Sequence, residues 1–143
     1  MPVPDAFDLE RFVEAQAPVY GQVERELQAG AKRSHWMWFI FPQIEGLGFS
    51  GMAQRYAIGS RAEAEAYLRH PVLGPRLAEC TQLMLQHEGT SAHAILGSPD
   101  DMKFRSCMTL FAAVSEKDSP FERALEVFYD GKRDEKTVAL LGD

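Results

Sequence analysis

Lys32, Arg33, Ser34 and His35 stand directly before the run Trp36-Met37-Trp38-Phe39-Ile40-Phe41, and Gln43 follows one residue further on, after Pro42. Residues 30–50 hold both tryptophans of the chain and three of its nine phenylalanines, Phe39, Phe41 and Phe49. His35 carries an imidazole, the side-chain type that most often moves protons as a general acid or base. Lys32 and Arg33 supply charge for an anion, and the indoles of Trp36 and Trp38 offer walls for a flat group. Pro42-Gln43 and the glycines Gly46, Gly48 and Gly51 let the backbone turn tightly and approach a ligand. Together these residues predict a pocket around Lys32–Ser50. The competing reading keeps Trp36, Phe39 and Phe41 as core and His35 as a polar residue at a helix start.

Two further sets of residues face that segment in the expected fold. Lys103 and Ser106 are three residues apart, and Ser106 and Thr109 three apart again, so they form one polar ridge on a helix. A lysine beside a hydroxyl at this spacing binds phosphate or activates the hydroxyl. Alternatively, Lys103 pairs with Asp100 or Asp101, and the hydroxyls bond carbonyls of their own helix. Gln16 falls inside an apolar stripe between Phe12 and Val19-Tyr20. A buried amide without partners costs about 1–3 kcal/mol, so Gln16 either meets a ligand or ties its helix to another backbone. The expected roles are catalysis for His35, Lys103 and Ser106, and ligand binding for Gln16, Lys32, Arg33, Trp36, Trp38 and Gln43. No metal and no cofactor are expected: His70, His87 and His93 lack ligand spacing, and Cys-x-x-Cys, phosphate-loop and dinucleotide glycine motifs are absent.

Elements that must position these groups follow from helical periodicity. Asp5 precedes an amphipathic stretch through Leu9, Phe12, Val19, Val23 and Leu27, ending at the glycine cap Ala29-Gly30, and Pro18 should kink or divide it. Ser60 with Glu63 is a capping box for a helix over Arg61–Leu68. Pro71 opens a helix to about Gln86, with Cys80 facing inward. Ser91 caps a short helix ending at Gly97. Ser98 caps one running to about Val114, with two acids at its positive end. Ser119-Pro120 starts another, to Tyr129, and a last short helix begins near Asp134. No segment alternates in the manner of a strand, and Trp36–Phe41 reads as a short helix or irregular stretch. The expectation is a single all-α domain, residues 1–143, of about seven or eight helices.

Composition limits the partners. A chain of 143 residues, 45% hydrophobic and 25% charged, is one globular domain's worth. A net charge of −6 lacks the basic footprint of a polynucleotide binder, while local cations leave room for a small anionic ligand. No apolar run of roughly 18 residues exists, so no membrane span is expected. Cys80 and Cys107 read as free buried thiols of a reducing compartment, and with no secretory pattern at the N-terminus the expected location is cytoplasmic.

Several of these blocks carry a family likeness. Phe7-Asp8-Leu9, Arg11-Phe12-Val13, Lys32-Arg33-Ser34-His35-Trp36-Met37-Trp38-Phe39, Phe41-Pro42-Gln43, Gly46-Leu47-Gly48, His70-Pro71-Val72-Leu73-Gly74 and Ser98-Pro99-Asp100-Asp101 resemble a bacterial domain-of-unknown-function family, numbered 1810. The likeness spans about Phe7 to Leu141. It implies a compact all-α fold and no settled activity; Cys107 departs from the serine that often follows Ser106. The label "calpastatin" sometimes given to such sequences fits poorly, because calpastatin-type inhibitors are disordered and this chain is globular. Two functions from different classes remain. One is a hydrolase or transferase acting on a nucleotide-like or phosphorylated ligand. The other is a binding module whose aromatic segment docks a protein partner or a second copy of the chain in a homodimer.

Overall fold

A computed structural model describes residues 5–142, and within them every regular element is a helix. In chain order they are α1 (Glu10–Gln16), α2 (Tyr20–Ala29), α3 (Met37–Ile40), α4 (Gly51–Arg55) and α5 (Arg61–Arg69). They continue with α6 (Leu73–Leu85), α7 (Ala92–Leu96), α8 (Asp100–Ala113), α9 (Pro120–Tyr129) and α10 (Glu135–Leu141). The all-α expectation holds, with ten described helices against the seven or eight expected. One addition is α4, whose start was written in Ser50: its hydroxyl accepts the Ala53 amide at 3.1 Å.

Local chemistry explains most boundaries. The hydroxyls of Ser60, Ser91 and Ser119 each accept an amide three residues on, as caps should. Pro18 does divide the first stretch, into α1 and α2. Two starts differ from expectation. α6 begins at Leu73 rather than Pro71, because the His70 ring accepts the amides of Val72 and Leu73 at its Nδ1. Ser98 is not the cap of α8. The carbonyl of Gly97 takes the Asp101 amide and that of Pro99 the Met102 and Lys103 amides, so these three first-turn donors are satisfied by backbone and not by the Ser98 hydroxyl.

α8 is the central element. Phe104 and the whole run Ser106–Ala112 are buried, as fits a helix packed on nearly every side. It contacts α5, α7, α9 and α10. Phe41 meets Phe104 edge-on at 4.8 Å, which docks the aromatic segment onto it. The chain after α3 is pinned by a single parallel bridge between Ile44 and Ile58, with Glu45 N donating to Ile58 O and Ile58 N to Gln43 O, both at 2.8 Å.

Arg11 clamps this half of the molecule. Its five N–H groups reach the carbonyls of Phe7, Asp8, Arg55 and Ala57 and the Glu63 carboxylate. A guanidinium has five donors in a fixed fork, and all are used. Lysine has three donors on one point, so Arg11→Lys should lose about 2 kcal/mol despite unchanged charge. A lower urea midpoint at constant slope is the expected reading; an unchanged midpoint would show that the clamp contributes nothing.

Candidate functional site

The segment before the aromatics is organised by a residue that the sequence reading missed. Gly30, at φ 71°, ends α2 and returns the chain past its last turn. There the buried Glu26 carboxylate accepts the Arg33 amide at 2.7 Å, the Ser34 amide at 3.0 Å and the Trp36 indole N–H at 3.0 Å. It also accepts the Ser34 hydroxyl at 2.7 Å and the Gln22 amide at 2.9 Å. Burial alone would push this carboxyl up, but the five donors together hold it down at about 2. The signal was present in the chain: Glu26 lies three residues after Val23 and beside Leu27, on the apolar stripe of α2, just as Gln16 does on α1.

This arrangement separates the expected site residues. Trp36 is 1% exposed and hydrogen-bonded to Glu26, so it is core and presents no face to a ligand. Lys32 is turned inward: its ammonium is 2.8 Å from Asp100 Oδ2 and 5.1 Å from the centre of the Trp36 ring. Arg33 and His35 are exposed, with no side-chain hydrogen bond or ion pair among the described residues, and neither lines the clefts described next. Gln16 is buried and internally paired: its amide donates to Phe39 O at 2.7 Å and Tyr67 Oη at 3.2 Å, and its oxygen accepts from Arg76 at 3.3 Å. It ties α1 to α3, α5 and α6 and has no donor left for a ligand.

The other expected residues do converge. Gln43, Lys103 and Ser106 line an open cleft of about 370 Å³, joined by Phe49, by Asp134 at the cap of α10 and by Lys136 within it. A second hollow of about 210 Å³ adjoins it, lined by Trp38, Gln43, Glu45, Gln54 and Tyr56. Gln43, Gly48, Phe49 and Ala53 belong to both, forming the waist between the two lobes. Gly48 is required there, since a Cβ would stand 2.5 Å from that of Ala53.

Charge in the larger lobe is positive on balance. Asp100 serves two cations, Lys32 at 2.8 Å and Lys103 at 3.7 Å, and Lys103 also lies 5.4 Å from the centre of the Trp38 ring. Lys136 is exposed and has no carboxylate partner among the described residues. Ser106 donates to Met102 O at 3.2 Å, so its hydroxyl is held against its own helix with no base beside it. Thr109 donates to Arg105 O and accepts the Asp134 amide at 2.9 Å. That bond seats the start of α10, which brings Lys136 to the cleft. The two thiols offer no nucleophile: burial pushes Cys80 up to about 12 and Cys107 well above its ordinary value. Among the described residues, no three of His, Cys, Asp and Glu group as a metal set, and no helix is long and apolar enough to cross a membrane.

The relatives are consistent with this fold and carry no assigned activity. Residues 6–141 match the family model described as protein of unknown function, DUF1810. A comparison with the curated proteins finds no match to this chain. Among solved structures, it is similar to a conserved hypothetical protein from Mycobacterium tuberculosis: 55% identical, with a TM-score of 0.95 over 97% of this chain and 99% of that one. With the family model covering nearly all of the described residues, the chain belongs to the DUF1810 family.

Proposed function

We propose that this protein binds a small anionic, phosphorylated ligand in the cleft between the 43–53 loop, α8 and α10. The observation that carries the reading is the convergence of Lys103 and Lys136 on one open lobe beside Ser106 and Gln43. The N-terminus of α8 is a poor place for the anion, because its Asp101, Met102 and Lys103 amides are already bonded and the Asp100 and Asp101 carboxylates would repel one. The anion instead sits a turn further along, at Lys103 and Ser106. Hydrolase or transferase chemistry on that ligand would have Lys103 as the electrostatic group and Ser106 as the hydroxyl at hand. His35 would take part only by moving from its exposed position.

Inorganic phosphate or pyrophosphate should raise the melting temperature of the native chain, since a ligand at 100 times its Kd stabilises by about 2.7 kcal/mol. Lys103→Ala with Lys136→Ala should remove that shift and leave the ligand-free melting temperature nearly unchanged. A shift that persists in the double variant places the anion elsewhere.

One observation supports the alternative, a homodimer or partner interface. Of the exposed large hydrophobics among the described residues, Phe49 and Met102 line this cleft, and Leu140 lies against Gly46 at the smaller hollow. Phe49 is 82% exposed. If the patch joins two copies, sedimentation should give a dimer that Phe49→Ser converts to monomer. A monomer at high concentration refutes it.

A further inference from the structure

The two lobes differ in chemistry, and that difference narrows the ligand. The larger lobe is lined by the ammonium groups of Lys136, which has no partner among the described residues, and of Lys103, which shares Asp100 with Lys32, together with the Ser106 hydroxyl. Its one lining carboxylate, Asp134, is engaged by Thr137. The smaller lobe has aromatic walls, Trp38 and Tyr56, with the Gln43 and Gln54 amides and the Glu45 carboxylate at its edge. Lys103 lies over the Trp38 ring, so the indole is the hinge between them. An anion has no counter-charge in the smaller lobe, where Glu45 would repel it. The Gln54 amide already donates to Phe49 O at 3.1 Å, but a purely apolar ring would leave the Gln43 amide and the Glu45 carboxylate without partners, at a cost of about 1–3 kcal/mol for each that is desolvated.

We infer that the cleft takes a nucleoside monophosphate, with its phosphate at Lys103 and Lys136 and its base against Trp38 and Tyr56, the donor edge of the base facing Glu45. This rests on the reading of the larger lobe as an anion site and adds the identity of the second half. A carboxylate accepts only, so it selects a base edge that donates. Guanine presents two adjacent donors, the ring N–H and the exocyclic amine, and matches the two oxygens of one carboxylate. Gln43, shared by both lobes, stands where the ribose crosses the waist. Volumes of about 210 and 370 Å³ accommodate the two halves of such a ligand without displacing the core.

Trp38 provides the readout, because Trp36 is shut in the core and its emission reports the fold alone. Titration of the full chain with GMP should quench Trp38, and the quench should be absent in Trp38→Phe. By calorimetry GMP should bind at least tenfold more tightly than inorganic phosphate, guanosine or ribose 5-phosphate, because only GMP fills both lobes. Inosine 5′-monophosphate, which lacks the exocyclic amine, should bind several-fold more weakly than GMP, and Glu45→Gln should erase that difference. Lys136→Ala should weaken GMP and phosphate alike and leave guanosine unaffected. If phosphate binds and GMP binds no better, the two-lobed ligand is refuted while the anion site stands. If neither binds, both readings fall.

Discussion

Gly74→Ala should destabilise the protein by at least about 3 kcal/mol, the upper end of what overpacking costs. Helix propensity alone gives the opposite sign. Gly74 is the second residue of α6, its φ is not positive, and alanine in a helix is better than glycine by about 1 kcal/mol. The space decides otherwise. A Cβ on Gly74 would lie 2.1 Å from the carbonyl oxygen of Leu68 and 3.0 Å from its carbon. These are backbone atoms near the end of α5, and the Gly74 amide is itself bonded to His70 O, so neither side can yield without opening the α5–α6 corner. In a domain of this size the loss corresponds to a melting temperature lower by roughly 6–12 °C. Gly51→Ala is the matched control: nothing lies within 4 Å of its Cβ position and its φ is not positive, so it should be neutral or stabilising by up to about 1 kcal/mol. If both variants melt with the native chain, the close approach of α5 and α6 is wrong.

Those two glycines show why part of the fold could be read from the chain and part could not. Ser60, Ser91 and Ser119 cap helices through atoms three residues away, so their chemistry is local and visible in sequence. Gly74 and Gly51 look alike in sequence and differ only in what a distant carbonyl does. The same limit divided the two tryptophans. α3 is a single turn, too short to show a periodicity, so nothing in its sequence says that Trp36 turns to Glu26 and the core while Trp38 turns to the cleft. Lys103 and Ser106 could be picked out because they share a helix face. Lys136 could not, because its place beside them depends on Thr109 seating the start of α10, a contact across 25 residues. Arg33 and His35 were attractive by adjacency to the aromatics, but adjacency in a loop does not fix direction. The return of the chain over Glu26 leaves both on the surface.

Glu26→Gln should cost about 3 kcal/mol at pH 7 and progressively less as the pH falls. The carboxylate accepts three N–H bonds at Oε1, and the Gln22 amide and Ser34 hydroxyl at Oε2. Glutamine has one accepting oxygen, so either the three N–H donors at Oε1 or the Gln22 amide and Ser34 hydroxyl at Oε2 meet its NH₂ in place of an acceptor. The charge matters as well as the count. In the folded chain the five donors hold the group at about 2, against 4.5 when unfolded, so folding favours the ionised form by about 3 kcal/mol. A depressed carboxyl stabilises the fold above its unfolded value, and that contribution is lost as pH falls through 4.5 towards 2. Urea unfolding of the native chain should therefore weaken steeply between pH 5 and 2. The variant, which has no proton to take up at this position, should lose less over the same range, so the two curves converge. Parallel curves, with the same gap at pH 7 and pH 2.5, would mean that Glu26 contributes packing and not charge. The indole of Trp36 gives the structural half of the test. Its N–H loses a charged acceptor in the variant, so its emission should shift while that of Trp38 stays, and the Lys32–Trp36 loop should exchange its amide protons faster at pH 7. This loop carries the first contact in the series Lys32, Asp100, Lys103 and Trp38, so loosening it should also weaken anion binding at a cleft that Glu26 does not line.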